Sequence, residues 1–394
     1  MAETRSSPVG TDRLLSADDA PGEGTLPALW STRWATEPLA PLLLDATPAA
    51  EQAERRTWCV AGSFDEQTRV EAERLSAAGL SAGDRLLWCA GPSLASVVTC
   101  VAALRLGAVV VPGNPAYTAR ELVHIVADVR PTLATVERAE QAAWVESASA
   151  GSTPVIGLAG DPPVRAIGPV PVLDAATAAD PALIVYTSGT TGAPKGAVLS
   201  HGNLVAGVRA LTKAWRWDEK DRLILSLPLF HVHGLCAGLF GTLAAGASAV
   251  LVRFDAAGVL DAAAHHEGTL FFGVPTMYRR LLESGRAREL AALRLCVSGS
   301  APLPAELFGE LVAGAGIEPL ERYGMTETLL TLSNPLDGER RTARCGCAGR
   351  ACSPATGNAR RPTPSAWSRA GSGRATSSRS TTTATSRSAG ARAT

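Results

Sequence analysis

The stretch Tyr186–Gly196 reads YTSGTTGAPKG and places three glycines, four serine or threonine hydroxyls and one lysine within eleven residues. The apolar run ALIVY, which is typical of a buried strand, ends at the first residue of this stretch. Residues 201–215, whose apolar positions recur at helical spacing, follow it. Glycines allow backbone N–H groups to turn inward, while the hydroxyls and Lys195 add donors and a positive charge. This composition predicts a turn that binds a polyphosphate. It is not a Walker A loop, because glycine and not serine or threonine follows Lys195.

Alternating helical and strand-like segments on both sides of this turn predict the fold class. Residues 84–91 and 108–114 are short apolar runs closed by turn residues, as expected of buried strands. Residues 118–131 predict a helix with a threonine cap, a glutamate three residues later and a proline stop. Residues 94–112 and 235–252 are apolar, but an arginine or glycines interrupt them, so each is predicted to be a buried helix followed by a buried strand. We therefore expect an α/β fold with layered β-sheets flanked by helices and no membrane span.

The composition excludes several classes of function. After residue 340 there are ten arginines and no acid, so the first 340 residues carry 27 basic and 37 acidic side chains. Such an acidic body does not resemble a nucleic-acid binder. The cysteines lie mostly in apolar runs, and the cluster Cys345, Cys347 and Cys352 fits no zinc pattern. The first residues lack the apolar core of a signal peptide, and we expect a cytoplasmic protein.

Changes in composition predict three regions. Residues 1–35 are rich in Pro, Gly, Ser and acid and are expected to form a flexible leader. Residues 36–340 carry the alternating pattern and are expected to form the folded domain. Residues 341–394 contain no Leu, Ile, Val, Met or Phe. Such a segment buries too little apolar surface to offset the entropy of ordering, so we expect a disordered tail.

Five sequence blocks, in order, resemble the adenylate-forming acyl-CoA synthetase superfamily. The first is the turn quoted above, and the others are LPLFHVHGL (227–235), GVPTMY (273–278), VSGSAPLP (297–304) and ERYGMTET (321–328). The resemblance covers residues 40–340, and the blocks HVHGL and ERYGMTET are most similar to those of malonyl-CoA synthetases. It implies the N-terminal AMP-binding domain of such an enzyme, here incomplete.

The resemblance implies a two-step ligase reaction. A carboxylate attacks the α-phosphate of ATP to give an acyl-adenylate and pyrophosphate, and the thiol of coenzyme A then displaces AMP. ATP, Mg²⁺ and coenzyme A, the last as a substrate, are therefore the expected small-molecule partners, together with a malonate-type carboxylate. Binding and electrostatic stabilisation of phosphate charge supply most of the catalysis in such a step.

Site residues follow from the resemblance, position by position. Catalytic roles are implied for Thr187, Lys195, His231 and Glu327, and metal binding for Thr187 and Glu327. Nucleotide contacts are implied for Thr187, Ser188, Gly189, Thr190, Thr191, Gly192, Lys195, Gly299, Ser300, Ala301, Tyr323, Gly324 and Thr326. Among these, Tyr323 is expected to pack on adenine, and Thr326 to contact a phosphate.

The second carboxylate of malonate requires a cationic contact. Arginine suits a bidentate contact with a carboxylate, and the candidates are Arg322 and Arg253, with Arg322 preferred. His231 is expected at the mouth of the carboxylate site, whereas His233 is expected to be structural. Two alternatives stay open, namely a fatty-acyl or aryl-CoA ligase on the same scaffold and an inactive nucleotide-binding remnant.

The chain departs from the family pattern after its last resembling block. No lysine follows Lys220 and no acid follows Glu339, so the family's catalytic lysine and ribose-binding aspartate have no counterpart. A shift of reading frame near Arg340 would explain a tail so rich in Arg, Ala, Ser and Thr. We therefore expect impaired formation of acyl-CoA by this chain, and translation of the gene in its other frames tests the frameshift.

Overall fold

The expected alternation of helices and strands appears as two β-sheets flanked by helices in a computed structural model of the chain, and the predicted α/β class is confirmed. The structure describes residues 24–48, 50, 57–160, 169–187 and 194–338. The described strands are β1 (Pro41–Asp45), β2 (Cys59–Val60), β3 (Arg85–Cys89), β4 (Val109–Pro112), β5 (Leu133–Val136), β6 (Val155–Ile156), β7 (Pro181–Thr187), β8 (Lys195–Ser200), β9 (Arg222–Leu225), β10 (Ser248–Leu251), β11 (Leu270–Gly273), β12 (Leu295–Ser298), β13 (Leu320–Tyr323) and β14 (Leu332–Ser333).

Helices connect most of these strands, as parallel pairing requires. The described α-helices are α1 (Leu26–Thr36), α2 (Ala61–Ala77), α3 (Leu94–Arg105), α4 (Ala119–Val129), α5 (Ala139–Ala148), α6 (His201–Ala214), α7 (Gly241–Ala245), α8 (Ala256–His265), α9 (Pro275–Glu283) and α10 (Ala305–Glu310). A π-helix, His233–Phe240, runs directly into α7. None of the described helices is both long enough and apolar enough to cross a bilayer.

Both sheets are mostly parallel. The eight-stranded sheet has the order β14-β13-β12-β11-β9-β10-β1-β2, and the six-stranded sheet has the order β6-β5-β3-β4-β7-β8. Antiparallel pairing occurs at β1/β2, β13/β14 and β7/β8. The central strands are buried along their length, for example β4 and β12, and their apolar side chains form the core between the sheets and helices. The carboxyl ends of neighbouring parallel strands therefore meet along one edge of each sheet.

Several predicted elements are confirmed. The helix expected in residues 118–131 is α4, and its capping box joins Thr118 and Glu121 in both directions. The two apolar stretches that resemble membrane spans are buried helix followed by buried strand, α3 with β4 and the π-helix and α7 with β10. One element is additional, because β8 lies between the predicted phosphate turn and α6.

The boundary of the predicted leader at residue 35 is wrong, because α1 lies within its last part. Thr25 caps this helix by accepting a hydrogen bond from the backbone N–H of Ala28. The ring of Trp30 lies 5.3 Å from that of Phe240, and both tryptophans of the helix are buried. Tryptophans at positions i and i+4 give the helix one buried face, which outweighs the polar composition of the residues before it.

The other regional predictions extend beyond the described residues. Residues 1–23 of the leader and the whole tail 341–394 lie outside them. The disorder and the frameshift proposed for the tail stay predictions.

Candidate active site

The predicted phosphate turn is carried by the β7–β8 hairpin. Thr187 ends β7 and Lys195 begins β8, and the two residues are paired in the antiparallel register. The Thr187 hydroxyl donates to the backbone carbonyl of Lys195 at 3.4 Å, and the Lys195 side chain is exposed. The predicted contacts Ser188, Gly189, Thr190, Thr191 and Gly192 lie outside the described residues. The hairpin therefore brings one hydroxyl and one ammonium group to the two sides of the turn.

A cavity of about 890 Å³ opens where strands of the two sheets end. Residues after β3 and β5 line it from the six-stranded sheet, and residues after β9, β10 and β12 line it from the eight-stranded sheet. His231 lies on its wall and is exposed, and its predicted place at the mouth of a carboxylate site stays a prediction. Partial burial lowers the pKa of His231 below the ordinary histidine value, which favours its neutral form at neutral pH.

Arg253 lies at the rim of the same cavity. Its guanidinium donates to Oε1 of Glu137 at 2.9 Å, while Oε2 of Glu137 accepts the backbone N–H of Gly91 at 3.0 Å. The charge of Arg253 is therefore already matched by a carboxylate, and its side chain is 58 % exposed. Although Arg253 lines the cavity, its positive charge is less available to a substrate than an unpaired one.

Arg322, the other arginine candidate, is buried. The residue is 7 % exposed, and its Nε and Nη2 atoms have no hydrogen-bond partner among the described residues. Burial lowers the pKa of Arg322 to about 10, so the guanidinium still carries its charge at neutral pH. A buried cation without a counterion costs several kcal/mol, which an anionic ligand would offset.

His233 lies beside Arg322 at a second, small cavity of about 20 Å³. This histidine also lines the large cavity. Its Nδ1 lies 3.2 Å from the hydroxyl of Ser300, and its Nε2 is buried without a partner among the described residues. Burial, followed by the nearby charge of Arg322, lowers the pKa of His233 well below its ordinary value. A neutral ring whose Nδ1 accepts from Ser300 presents Nε2–H as a donor.

The backbone around this cluster is unusual at two positions. Ser300 has a φ of 67°, a left-handed conformation that few residues other than glycine adopt. At Gly299 a Cβ atom would lie 2.4 Å from Nε of Arg322. The guanidinium can pack here only because Gly299 lacks a side chain. Strained backbone and a π-helix, which begins at His233, are both enriched at functional sites.

The turn after β13 carries the remaining predicted residues. Tyr323 is 54 % exposed, so its ring is accessible to an adenine. Gly324 and Thr326 are half-buried, and Glu327 and Ala301 are exposed. No group of three or more His, Cys, Asp or Glu that could hold a metal occurs among the described residues. The Thr187 hydroxyl and the Glu327 carboxylate are hard oxygen donors of the kind Mg²⁺ binds together with phosphate oxygens.

The structure brings the predicted residues together in groups. His231 and Ser300 line the large cavity, and Gly299 packs against Arg322 next to the small one. Thr187 and Lys195 form a separate pair, and no hydrogen bond or ion pair among residues the structure describes joins them to Glu327. The sequence analysis assigned His233 a structural role. The only sequence signal for another role was the second histidine of the motif HVHG. The contact of His233 with Ser300, 67 positions away, is a tertiary contact that the sequence does not reveal.

Comparisons with known proteins show similarity to one enzyme family. The family described as AMP-binding enzyme matches residues 45–357. A malonate–CoA ligase of Arabidopsis thaliana is 33 % identical over 305 residues, which is 70 % of this chain and 50 % of that protein. A feruloyl-CoA synthase of an Amycolatopsis species is 35 % identical over 264 residues, 65 % of this chain and 52 % of that protein. The chain thus spans about half the length of the curated relatives it matches.

A solved structure shares the fold as well as the sequence. The ATP-bound MatB of Rhodopseudomonas palustris superimposes with a TM-score of 0.72 and is 32 % identical. The match covers 82 % of this chain and 64 % of MatB. The similarity therefore extends across most of the described residues.

Proposed function

The chain belongs to the AMP-binding enzyme family, and on this basis we propose that it is an ATP-dependent acyl-CoA synthetase with a preference for malonate-type acids. The acid attacks the α-phosphate of ATP and releases pyrophosphate, and the coenzyme A thiol then displaces AMP and loses its proton. The similarity to a malonate–CoA ligase supports both the reaction and the substrate class. Cytoplasmic location belongs to the same proposal.

The buried, unpaired guanidinium of Arg322 carries the substrate assignment. At neutral pH it is positively charged and surrounded by apolar side chains of the small cavity, including Leu329 and Leu330. The distal carboxylate of malonate would supply the missing counterion through charge-assisted hydrogen bonds. His233 lines both cavities, and with Nδ1 as the acceptor its Nε2–H would donate to the same carboxylate. The reacting carboxylate then lies in the large cavity near His231.

The nucleotide is proposed to bind along the hairpin and the turn after β13. Thr187 and Lys195, with residues 188–192, would contact the phosphates, and Thr326 would add one contact. Adenine is proposed to pack on Tyr323 next to Gly299, Ser300, Ala301 and Gly324. Glu327 and Thr187 would hold Mg²⁺, which neutralises phosphate charge when bound.

A second candidate function is an aryl-CoA or longer fatty-acyl-CoA ligase. The volume of the large cavity, about 890 Å³, favours it, because malonate fills only a small part of such a space. The feruloyl-CoA synthase relative supports the same alternative. This candidate leaves Arg322 without a ligand, which is why malonate is preferred.

Calorimetric titration of malonate into the 394-residue chain, saturated with Mg²⁺ and a non-hydrolysable ATP analogue, tests the assignment. Arg322→Met is expected to weaken malonate binding by about ten- to a hundredfold, since hydrogen bonds to charged groups contribute about 1.5–3 kcal/mol. Its melting temperature is expected to stay the same or rise, because methionine removes an unpaired buried charge at similar volume.

Monomethyl malonate and ferulate provide the controls, since neither carries a second carboxylate. Both should bind the wild type weakly, and their affinity for the Arg322→Met variant should be no lower. Equal affinity of wild type and variant for malonate would contradict the assignment. Tighter binding of ferulate than of malonate by the wild type would favour the second candidate.

A further inference from the structure

The two arms of the β7–β8 hairpin are each held by a side chain from outside the hairpin. On the β7 arm, the Tyr186 hydroxyl donates to Oδ2 of Asp128 at 2.5 Å. On the β8 side, Nε2 of His124 lies 3.2 Å from the backbone carbonyl of Pro194. Tyr186 directly precedes Thr187, and Pro194 directly precedes Lys195. Both contacts therefore lie one residue from the two groups that the proposed function assigns to the phosphates.

Both external side chains come from one helix and one face. His124 and Asp128 are four residues apart in α4, and residues with this spacing lie above one another on a helix. The helix itself is well fixed, because a capping box begins it and its buried residues Leu122, Ile125 and Val126 belong to one apolar cluster with side chains of β3 and β4. The ring of Tyr186 packs against the same cluster. A single rigid element thus contacts both arms of the hairpin.

We propose that His124 and Asp128 form a clamp that sets the separation and orientation of Thr187 and Lys195 for phosphate binding. They are positioning residues, since they act through Tyr186 and Pro194 and do not touch the nucleotide. Strand β8 lies at the edge of its sheet, and Lys195 and Gly196 are exposed, so among the described strands this end of β8 pairs with β7 alone. The contacts with α4 add a second attachment. The effect on phosphate binding rests on the proposed function, whereas the clamp contacts do not depend on it.

ATP·Mg²⁺ affinity of the 394-residue chain, measured by calorimetry, tests the consequence. His124→Ala, Asp128→Ala and Tyr186→Phe are each expected to weaken ATP binding by about three- to tenfold, the range of one lost hydrogen bond. His124→Gln should restore near wild-type affinity, because its amide nitrogen can reach the Pro194 carbonyl. Malonate affinity should be unchanged in all four variants, which a general loss of structure would not allow.

The rate of trypsin cleavage after Lys195, followed by mass spectrometry without nucleotide, tests the clamp independently. Cleavage is expected to be several-fold faster in His124→Ala and Tyr186→Phe and unchanged in Arg120→Ala, a control at an exposed position of the same helix. Unchanged cleavage in the clamp variants would overturn the inference. If cleavage accelerates but the wild type binds no ATP, the clamp stands and the proposed function fails. If the wild type binds ATP and the variants bind it equally well, the positioning role is refuted.

Discussion

Arg322 and His201 are both buried, and each has at least one side-chain nitrogen without a hydrogen-bond partner in the described part of the chain. Burial nevertheless has opposite consequences for their charge. The pKa of Arg322 falls to about 10, so its charge persists at neutral pH and calls for an anion. The pKa of His201 falls to about 4, so its ring is neutral. His201 then serves as an acceptor, at 3.5 Å, for the backbone N–H of Leu26 at the start of α1. Arg322 is therefore proposed to bind an anionic ligand, whereas His201 stabilises the fold.

The neutral state of His201 predicts a pH dependence of stability. Its folded pKa, about 4, lies below the ordinary value, so the unfolded chain binds the proton first as the pH falls. The contribution of neutral His201 to the free energy of unfolding is complete above about pH 6.5. It is lost between about pH 6.5 and 4, and the loss is about 3 kcal/mol at most. Urea unfolding at a series of pH values measures it.

His201→Gln is the matched variant, because its amide oxygen can accept the Leu26 N–H and it does not titrate. The variant is expected to show a flatter profile between pH 6.5 and 4 than the wild type. His233, whose pKa is also lowered, contributes in the same direction and leaves a residual slope. Identical profiles for wild type and His201→Gln would contradict the account.

Single residues could be predicted from the sequence only where a motif fixed their neighbours. Arg322 is preferred over Arg253 from the resemblance, because a basic residue at the position of Arg253 is common among relatives with other substrates. The burial of Arg322, with two guanidinium nitrogens unpartnered among the described residues, is consistent with that preference. The sequence predicts only a structural role for His233, because its contact with Ser300 and its place beside Arg322 arise from the tertiary fold. The ion pair of Arg253 with Glu137 also joins two sheets and has no sequence signal.

At the scale of elements, Arg105 joins α3 to two other segments. It is fully buried and pairs with Asp65 of α2 at 2.7 Å and with Asp174, before β7, at 2.9 Å. Burial would raise the pKa of Asp65, but hydrogen bonds from Arg69 and Arg105 outweigh it and lower that pKa. Arg105 thereby fixes the segment that leads into the β7–β8 hairpin.

Arg105→Ala is expected to lower the free energy of unfolding by about 3–5 kcal/mol, because it leaves two carboxylates without their buried partner. Arg69→Ala is the control. Arg69 pairs with the same Asp65 at the surface, and exposed pairs contribute about 1 kcal/mol or less. Urea denaturation measures both, and equal losses in the two variants would contradict the buried network.

Elements were predictable where local sequence determines them. The capping box of α4 and the apolar runs of α3 and β4 are local signals, and the structure agrees with them. The helix α1 was missed because the polar composition before it concealed two tryptophans whose partners, such as Phe240, lie far along the chain. Strand β8 was missed because its exposed edge position gives it little apolar character.

At the scale of the whole molecule, both sheets direct strand ends toward sites that the proposed function uses. The large cavity lies between strand ends of the two sheets, and the small one beside β13 and the π-helix. The fold class could be predicted because helical and strand-like segments alternate along the chain, and the family because five motifs occur in order. The proposed impairment of acyl-CoA formation depends on residues after Arg340, which the structure does not describe, and thioester formation assayed with malonate, ATP and coenzyme A tests it.

The central claim is that the hairpin and the turn after β13 bind one Mg²⁺–ATP together. A double-mutant cycle of Thr187→Val and Glu327→Gln, with ATP·Mg²⁺ affinity measured by calorimetry, tests it most directly. If both side chains hold the same cation, each single variant loses about tenfold in affinity and the double variant loses little more, a coupling of about 1 kcal/mol or above. Strictly additive losses, or no loss in Glu327→Gln, would contradict the claim.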